Sequence, residues 1–228
     1  MLPETEQKEM SAEKAPAGQS TPAVGTLRVK FSKTGMLRYI SHLDLLRTMQ
    51  TAMSRARIPV WYTEGFNPHQ KLVFALPLPL GAESVCELID VKVTRRVDPK
   101  TAVDALNGAF PPDLRAIDAW YAETKFTGIF WARYELYPVD PEKKPDLSLL
   151  DKPELVTIVR TKSGEKEIDV KPKIRDPEPN GKGGVAITLR AAVNDILNPD
   201  VAARLLGMGE RRTLRTAVFR EDGTTEFR

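Results

Sequence analysis

The feature that most constrains this chain is a switch of hydrophobic period that occurs twice. Leu27, Val29 and Phe31 alternate with Arg28 and Lys30, the pattern of a half-buried strand that begins near Thr26. The period then lengthens. Leu43, Leu46, Met49, Met53 and Ala56 recur at helical spacing, with Ser41 placed to cap and Asp44 three residues on as the acid of a capping box. Pro59 is the expected stop. Period two returns at 71–75 and 85–94, a helix is expected over 99–108 behind Asp98 and Pro99, and a strand over 114–122.

That order, β-α-β-β-α-β, predicts an α+β ferredoxin-like unit: an antiparallel sheet with two helices on one face. The second half repeats the order. Strands are expected at 132–139, 166–174, 185–191 and 213–221, a helix at 146–156 that Pro153 interrupts, and another from Asn198-Pro199-Asp200 to about Leu206. Asn180-Gly181 and Gly183-Gly184 mark the loop between the middle strands. Two tandem ferredoxin-like units are therefore expected, residues 26–125 and 126–228. Residues 1–25, rich in Glu, Lys, Ala, Pro, Ser and Thr without a hydrophobic period, read as a disordered tail.

Composition narrows the function. One cysteine, Cys86, in 228 residues rules out an internal disulfide framework and favours a reducing compartment. With two histidines it is too few for an iron–sulfur cluster or a structural zinc site. Its apolar surroundings make it a buried thiol rather than a nucleophile. No cofactor is expected. There is no apolar run of membrane-spanning length and no signal-peptide h-region, so a soluble cytoplasmic protein without a membrane partner is expected. The net charge is +3; Glu4, Glu6, Glu9 and Glu13 against Lys8 and Lys14 leave +5 on the remainder, which permits nucleic-acid binding.

Both histidines fall within residues 41–81, together with Asp44, Arg47, Arg55, Tyr62, Asn67 and Lys71. His42 at a helix N-terminus suits an anion such as phosphate, as donor or proton shuttle. Arg47 and Arg55 project from the same helix, with Arg57 at its end. The turn Gly65-Phe66-Asn67-Pro68-His69 can present an aromatic and two polar groups to a nucleobase. Plainer roles compete: Ser41 and Asp44 as caps, Arg47 and Arg55 as a solvated helix face, Phe66 as core filler. The RNA-binding set is His42, Arg47, Arg55, Tyr62, Phe66, Asn67, His69 and Lys71. An alternative is a metal-independent endoribonuclease using His42 with His69 or Tyr62 as partner. A second basic set, Arg211, Arg212, Arg215 and Arg220 with Lys171, Lys173 and Arg175, reads as a stripe across the second unit or as solvated strand faces.

These residues also carry a resemblance. Phe31-Ser32-Lys33 with Gly35, Ser41-His42-Leu43-Asp44 with Arg47, Gly65-Phe66-Asn67-Pro68-His69, and Pro77-Leu78-Pro79-Leu80-Gly81 with Glu83 and Ser84 are similar to the radical-SAM-linked protein family. The stretch from Lys162 to Ile174 resembles that family's second-half strand pair. The family is an uncharacterised bacterial one, found beside or fused to a radical-SAM protein. The family has no established activity; its context implies RNA or an RNA-modifying radical-SAM enzyme as partner, and with the residues of 41–81 the first expectation is a non-catalytic accessory module that binds RNA for a partner enzyme. The chain lacks the cysteine triplet of the fused form. A protein–protein adaptor docking through the 77–81 loop is a further alternative.

Overall fold

The computed structural model describes residues 22–161 and 164–228, so the tail expected over residues 1–25 lies almost wholly outside the described residues, as do Lys162 and Ser163. The described residues form a mixed α/β fold with three α-helices and a large, mostly antiparallel sheet.

In the first half, β1 (Gly25–Lys33), α1 (His42–Arg55), β2 (Leu72–Phe74), β3 (Ala82–Val93), α2 (Pro99–Ala109) and β4 (Leu114–Tyr121) follow the order read from the sequence. Spatially, β4 pairs with β1, β1 with β3 and β3 with β2. One hydrophobic core lies between this sheet and the two helices. It joins Leu27, Val29 and Phe31 to Met49, Met53 and Leu106, each fully buried side chain contributing about 1.5–3 kcal/mol. The buried stripe of α1 is Leu45, Met49, Ala52 and Met53. Leu43, expected on that stripe, is exposed, because the helix begins one residue before it and turns it outward.

Two details at the ends of α1 differ from expectation. Ser41 Oγ does accept from the Asp44 N–H (3.1 Å), but the Asp44 carboxylate takes the Ser41 hydroxyl (2.7 Å) rather than a backbone N–H. Aspartate is one methylene too short to complete the reciprocal box. The helix is ended not by Pro59 but by Arg57, whose φ of 54° is left-handed. The Ile58 N–H then reaches Met53 O (3.0 Å) and the Arg57 N–H reaches Ser54 O (3.1 Å), a Schellman pair closed without glycine.

In the second half, β5 (Trp131–Pro138), β9 (Val185–Ala192), α3 (Pro199–Leu205) and β11 (Arg211–Phe219) match the expected elements, whereas β8 (Ile174–Pro179) begins where a strand was expected to end. The helix expected over 146–156 is absent. A 3-10 turn at Leu147–Asp151 takes its place, followed by β6 (Val156–Thr161), which pairs with β7 (Gly164–Asp169) as a separate hairpin. The strand expected over 166–174 is thereby divided: its first part belongs to that hairpin, Lys171–Lys173 form a turn, and only from Ile174 does the chain join the main sheet through β9. A short β10 (Asp195–Ile196) closes the far edge.

The halves share one sheet. β11 lies between β5 and β3, antiparallel to the first and parallel to the second over Thr213–Arg215 and Ala82–Ser84. Successive residues of β3 face opposite ways. Ile89, Val91 and Val93 join the α1–α2 core, whereas Cys86 and Leu88 join the core that includes Tyr134, Leu136, Ile187 and α3. The three helices therefore do not share one face of this continuous sheet, whereas two separate sheets, each with its helices on one face, were expected. The segment after β11 returns to the first half: Glu226 pairs with Lys30, Arg228 with Asp118, and Phe227 is buried against the Arg28 guanidinium.

Candidate functional site

Along one edge β3 changes partner. Ala82–Ser84 pair with β11, and from Leu88 onward the edge is taken by Ala75 and β2. The fork between them is filled by Arg215, which is fully buried. Its guanidinium pairs with Glu87 and donates to Leu76 O (2.5 Å). Burial opposes its charge, but the Glu87 carboxylate beside it holds it in the charged form. Burial pushes the Cys86 thiol up to about 11, consistent with an inert core residue.

Around the fork lie more buried charges. Glu83 accepts from Arg212 (2.8 Å) and from the Gly35 N–H (2.8 Å). Lys33 donates to Ala82 O (3.0 Å) and Leu37 O (3.3 Å), its own pKa lowered by burial. Glu83 thus links Arg212 of the second half to Gly35 of the first, and Lys33 braces the first-half side of the fork. Arg211 pairs with Asp200, Arg212 with Glu83 and Arg215 with Glu87, so these three members of the stripe expected from Arg211, Arg212, Arg215 and Arg220 with Lys171, Lys173 and Arg175 are each matched by a carboxylate.

The solvent-facing side of α1 is a different environment. It is a ridge between two clefts. A cleft of about 680 Å³ separates α1 from the end of α2 and is lined by Arg47, Thr48, Thr51 and Arg55 over Leu37, Phe110 and Pro111. On the other flank a cleft of about 300 Å³ is lined by Gln50, Thr51, Ser54, Tyr62, Pro68, His69 and Gln70. Thr51 borders both. Arg47, Thr51 and Arg55 stand four residues apart, so they repeat along the ridge at about 6 Å.

The smaller cleft is polar and ordered by side chains. Gln70 Nε2 is shared between Gln50 O (3.2 Å), Ser54 Oγ (2.9 Å) and Tyr62 Oη (3.1 Å). Gln70 Oε1 is buried without a donor among the described residues. His69 donates its backbone N–H to Thr63 Oγ1 (3.1 Å), and its Nδ1 lies 2.9 Å from the same hydroxyl and 3.3 Å from Asn67 O. These contacts fix the ring at the rim. Tyr62, accepting from Gln70, keeps its hydroxyl proton for another acceptor. The chemistry on offer is hydrogen bonding to a polar planar group beside half-exposed tyrosine.

The eight residues expected at the site are distributed as follows. Arg47 and Arg55 line the larger cleft, Tyr62 and His69 the smaller. Phe66 is fully exposed at the tip of the turn, so its reading as core filler is wrong. Asn67 contributes its carbonyl to His69, and Lys71 is exposed beside Trp61, whose carbonyl accepts its N–H. His42 lines neither cleft; its ring packs edge-on against Phe74 at 5.1 Å. The two histidines are thus not brought into one cleft. Asp44 is bonded to Ser41 and Arg47, which together hold its carboxyl below the usual range. Sequence reading missed Gln50, Ser54 and Gln70 in the smaller cleft; the first two were legible as polar residues on the helix flank next to Met49 and Met53.

No cluster of three or more histidine, cysteine or carboxylate groups that would suit a metal occurs among the described residues. No helix there is long and apolar enough to cross a membrane.

The family model described as an uncharacterised protein conserved in bacteria (DUF2344) matches residues 26–215. The chain belongs to this family. The match runs from the first residues of β1 into β11, so the fork at Arg215 falls inside it. The residues that resemble the radical-SAM-linked proteins also lie within it. No curated protein matches the chain.

Proposed function

We propose that this protein is a non-catalytic accessory module that binds RNA, in a radical-SAM-associated system of the bacterial cytoplasm, and presents it to a partner enzyme. The observation that carries the reading is the pair of clefts meeting at Thr51. One offers Arg47 and Arg55 to phosphates, the other hydrogen-bonding groups beside Tyr62, which suit a base, with Phe66 exposed on the turn that leads to its rim. We read each half as a ferredoxin-like unit. The pairing orders β4-β1-β3-β2 and β11-β5-β9-β8 support this, with the first helix of the second unit replaced by the 3-10 turn and hairpin.

Titration of the protein with unfractionated tRNA across a salt series tests the reading. Binding at low salt that weakens linearly on a log–log plot is expected. Absence of binding at low salt, or binding with no salt slope, overturns it.

One observation favours a second reading, an adaptor docking on a radical-SAM enzyme. Met36, Tyr39, Leu43 and Leu80 are exposed at the start of α1, and the Gly81 N–H donates to Arg38 O (2.8 Å), holding the 77–81 loop beside them. Co-purification with that enzyme that survives RNase and high salt and is lost in Leu80→Glu would favour it.

A further inference from the structure

At the corner where α1 ends, backbone pairing gathers three segments. Val60 bridges to Val93, the Trp61 N–H donates to Lys92 O (2.8 Å), and Pro59 O accepts from the Thr94 N–H (2.8 Å). On the other side the Lys71 N–H reaches Trp61 O (3.3 Å) and the Lys92 N–H reaches Lys71 O (3.4 Å). These bonds bring Arg55, Arg57, Lys71, Lys92, Arg95 and Arg96 to one corner; all six are exposed, and Arg55 also lines the larger cleft. None of the six has a carboxylate partner among the described residues. Two acids close to them in sequence are committed elsewhere: Asp90 to Arg28 at 2.7 Å, and Asp98 to the Thr101 N–H at 2.8 Å. Aromatic rings are interleaved, with Lys92 Nζ 5.4 Å from the Trp61 ring and the Arg96 guanidinium 4.6 Å from that of Tyr121.

Folding alone does not account for this corner. Cations at the end of a helix complement its dipole, which covers Arg55 and Arg57. It does not cover Lys71 beside Lys92, since like charges on neighbouring strands repel. Nor does it require arginine at the left-handed position 57, which glycine fills at less cost. Fourteen Lys and Arg stand against ten Asp and Glu in residues 26–130, and eighteen against seventeen in residues 131–228, so most of the chain's excess positive charge falls in the half that holds this corner.

We propose that the corner is a phosphate-binding surface that takes the backbone of the RNA whose bases meet the smaller cleft. The inference rests on the RNA reading above and adds Arg57, Lys92, Arg95 and Arg96 to its contacts. An anionic lipid surface is disfavoured, because the adjoining groups Gln50, Ser54, Tyr62, His69 and Gln70 are hydrogen-bonding ones that membrane contact leaves unused.

The test uses the full chain and unfractionated tRNA, with Lys71→Glu/Lys92→Glu, Arg95→Glu/Arg96→Glu and, as control, Lys143→Glu/Lys144→Glu in the second half. All six substituted positions are exposed, and circular dichroism melting verifies each fold. Each corner pair is expected to weaken binding at least tenfold and to reduce the log–log salt slope by about 1.5, as for two lost phosphate contacts. The control is expected to change neither. Corner variants that keep wild-type affinity and slope overturn this inference while leaving the RNA reading standing. A wild type that fails to bind tRNA at low salt but binds phosphatidylserine vesicles overturns both.

Discussion

Two groups of cations in this protein meet opposite fates. At the fork and over the second half, Arg215, Arg212, Arg211, Arg190 and Arg133 each close on a carboxylate: Glu87, Glu83, Asp200, Asp195 and Glu178. At the end of α1, Arg55, Arg57, Lys71, Lys92, Arg95 and Arg96 face outward with no such partner among the described residues. A buried, paired charge contributes to architecture, and removing one member leaves the other stranded. An exposed, unpaired charge contributes little to stability and is available to something else. The contrast separates where the fold spends its ions from where the surface offers them.

The largest effect should come from the paired group. Glu87→Ala leaves Arg215 buried without its counter-ion and is expected to destabilise the protein by about 3–5 kcal/mol. A chemical denaturation midpoint measures this. A loss below about 1 kcal/mol would mean that the fork does not bind the halves together.

The next effect is a pH dependence. The folded Cys86 thiol titrates near 11, above the 9.0 of the unfolded chain. Between those values the unfolded state releases a proton that the folded state retains, so stability falls as pH rises from 9 towards 11, by roughly 2–3 kcal/mol in all. Below pH 9 the contribution is constant. The Tyr134 phenol, also raised by burial, adds a fall of the same sign above pH 10. Cys86→Ala should flatten the slope between pH 8.5 and 10, and an unchanged slope would place its source elsewhere.

Smaller effects are expected on the unpaired side. Ser41→Ala removes the cap of α1 and should cost about 1 kcal/mol. Arg57→Gly relieves a left-handed residue and should raise stability by about 0.5 kcal/mol while weakening tRNA binding, so that the two readouts move in opposite directions. If both fell together, position 57 would be structural. Phe66→Ala, at the exposed tip of its turn, should leave the melting temperature within error and lower only RNA affinity.

The strands and helices of the first half were legible because each carries a single clean period: Leu27, Val29 and Phe31 for β1, and Met49 and Met53 on α1. The segment 146–156 was not. Leu147, Leu149 and Leu150 imitate a helical face, but Pro153 leaves too short a run to nucleate, and the chain turns instead into a hairpin. The site was legible in its loop and helix residues, which are local in sequence. What the sequence hid was pairing at a distance. Nothing local marks Arg28 as the partner of Asp90, or Arg215 as that of Glu87, and Arg215 in a run of arginines looks like surface. Gln70 was hidden for the same reason, its amide being held by residues on α1.

The parallel contact of β11 with β3 joins segments that lie far apart along the chain, Thr213 meeting Ala82. Closing so long a loop is slow, and until it closes both β3 and β5 present unpaired backbone along one side. Of the main-sheet strands described, the one that seals them is the last in chain order. A newly made chain therefore carries two open templates for strand addition from the time β5 is made until β11 follows. Its hazard of misassembly is concentrated in the interval before β11 arrives.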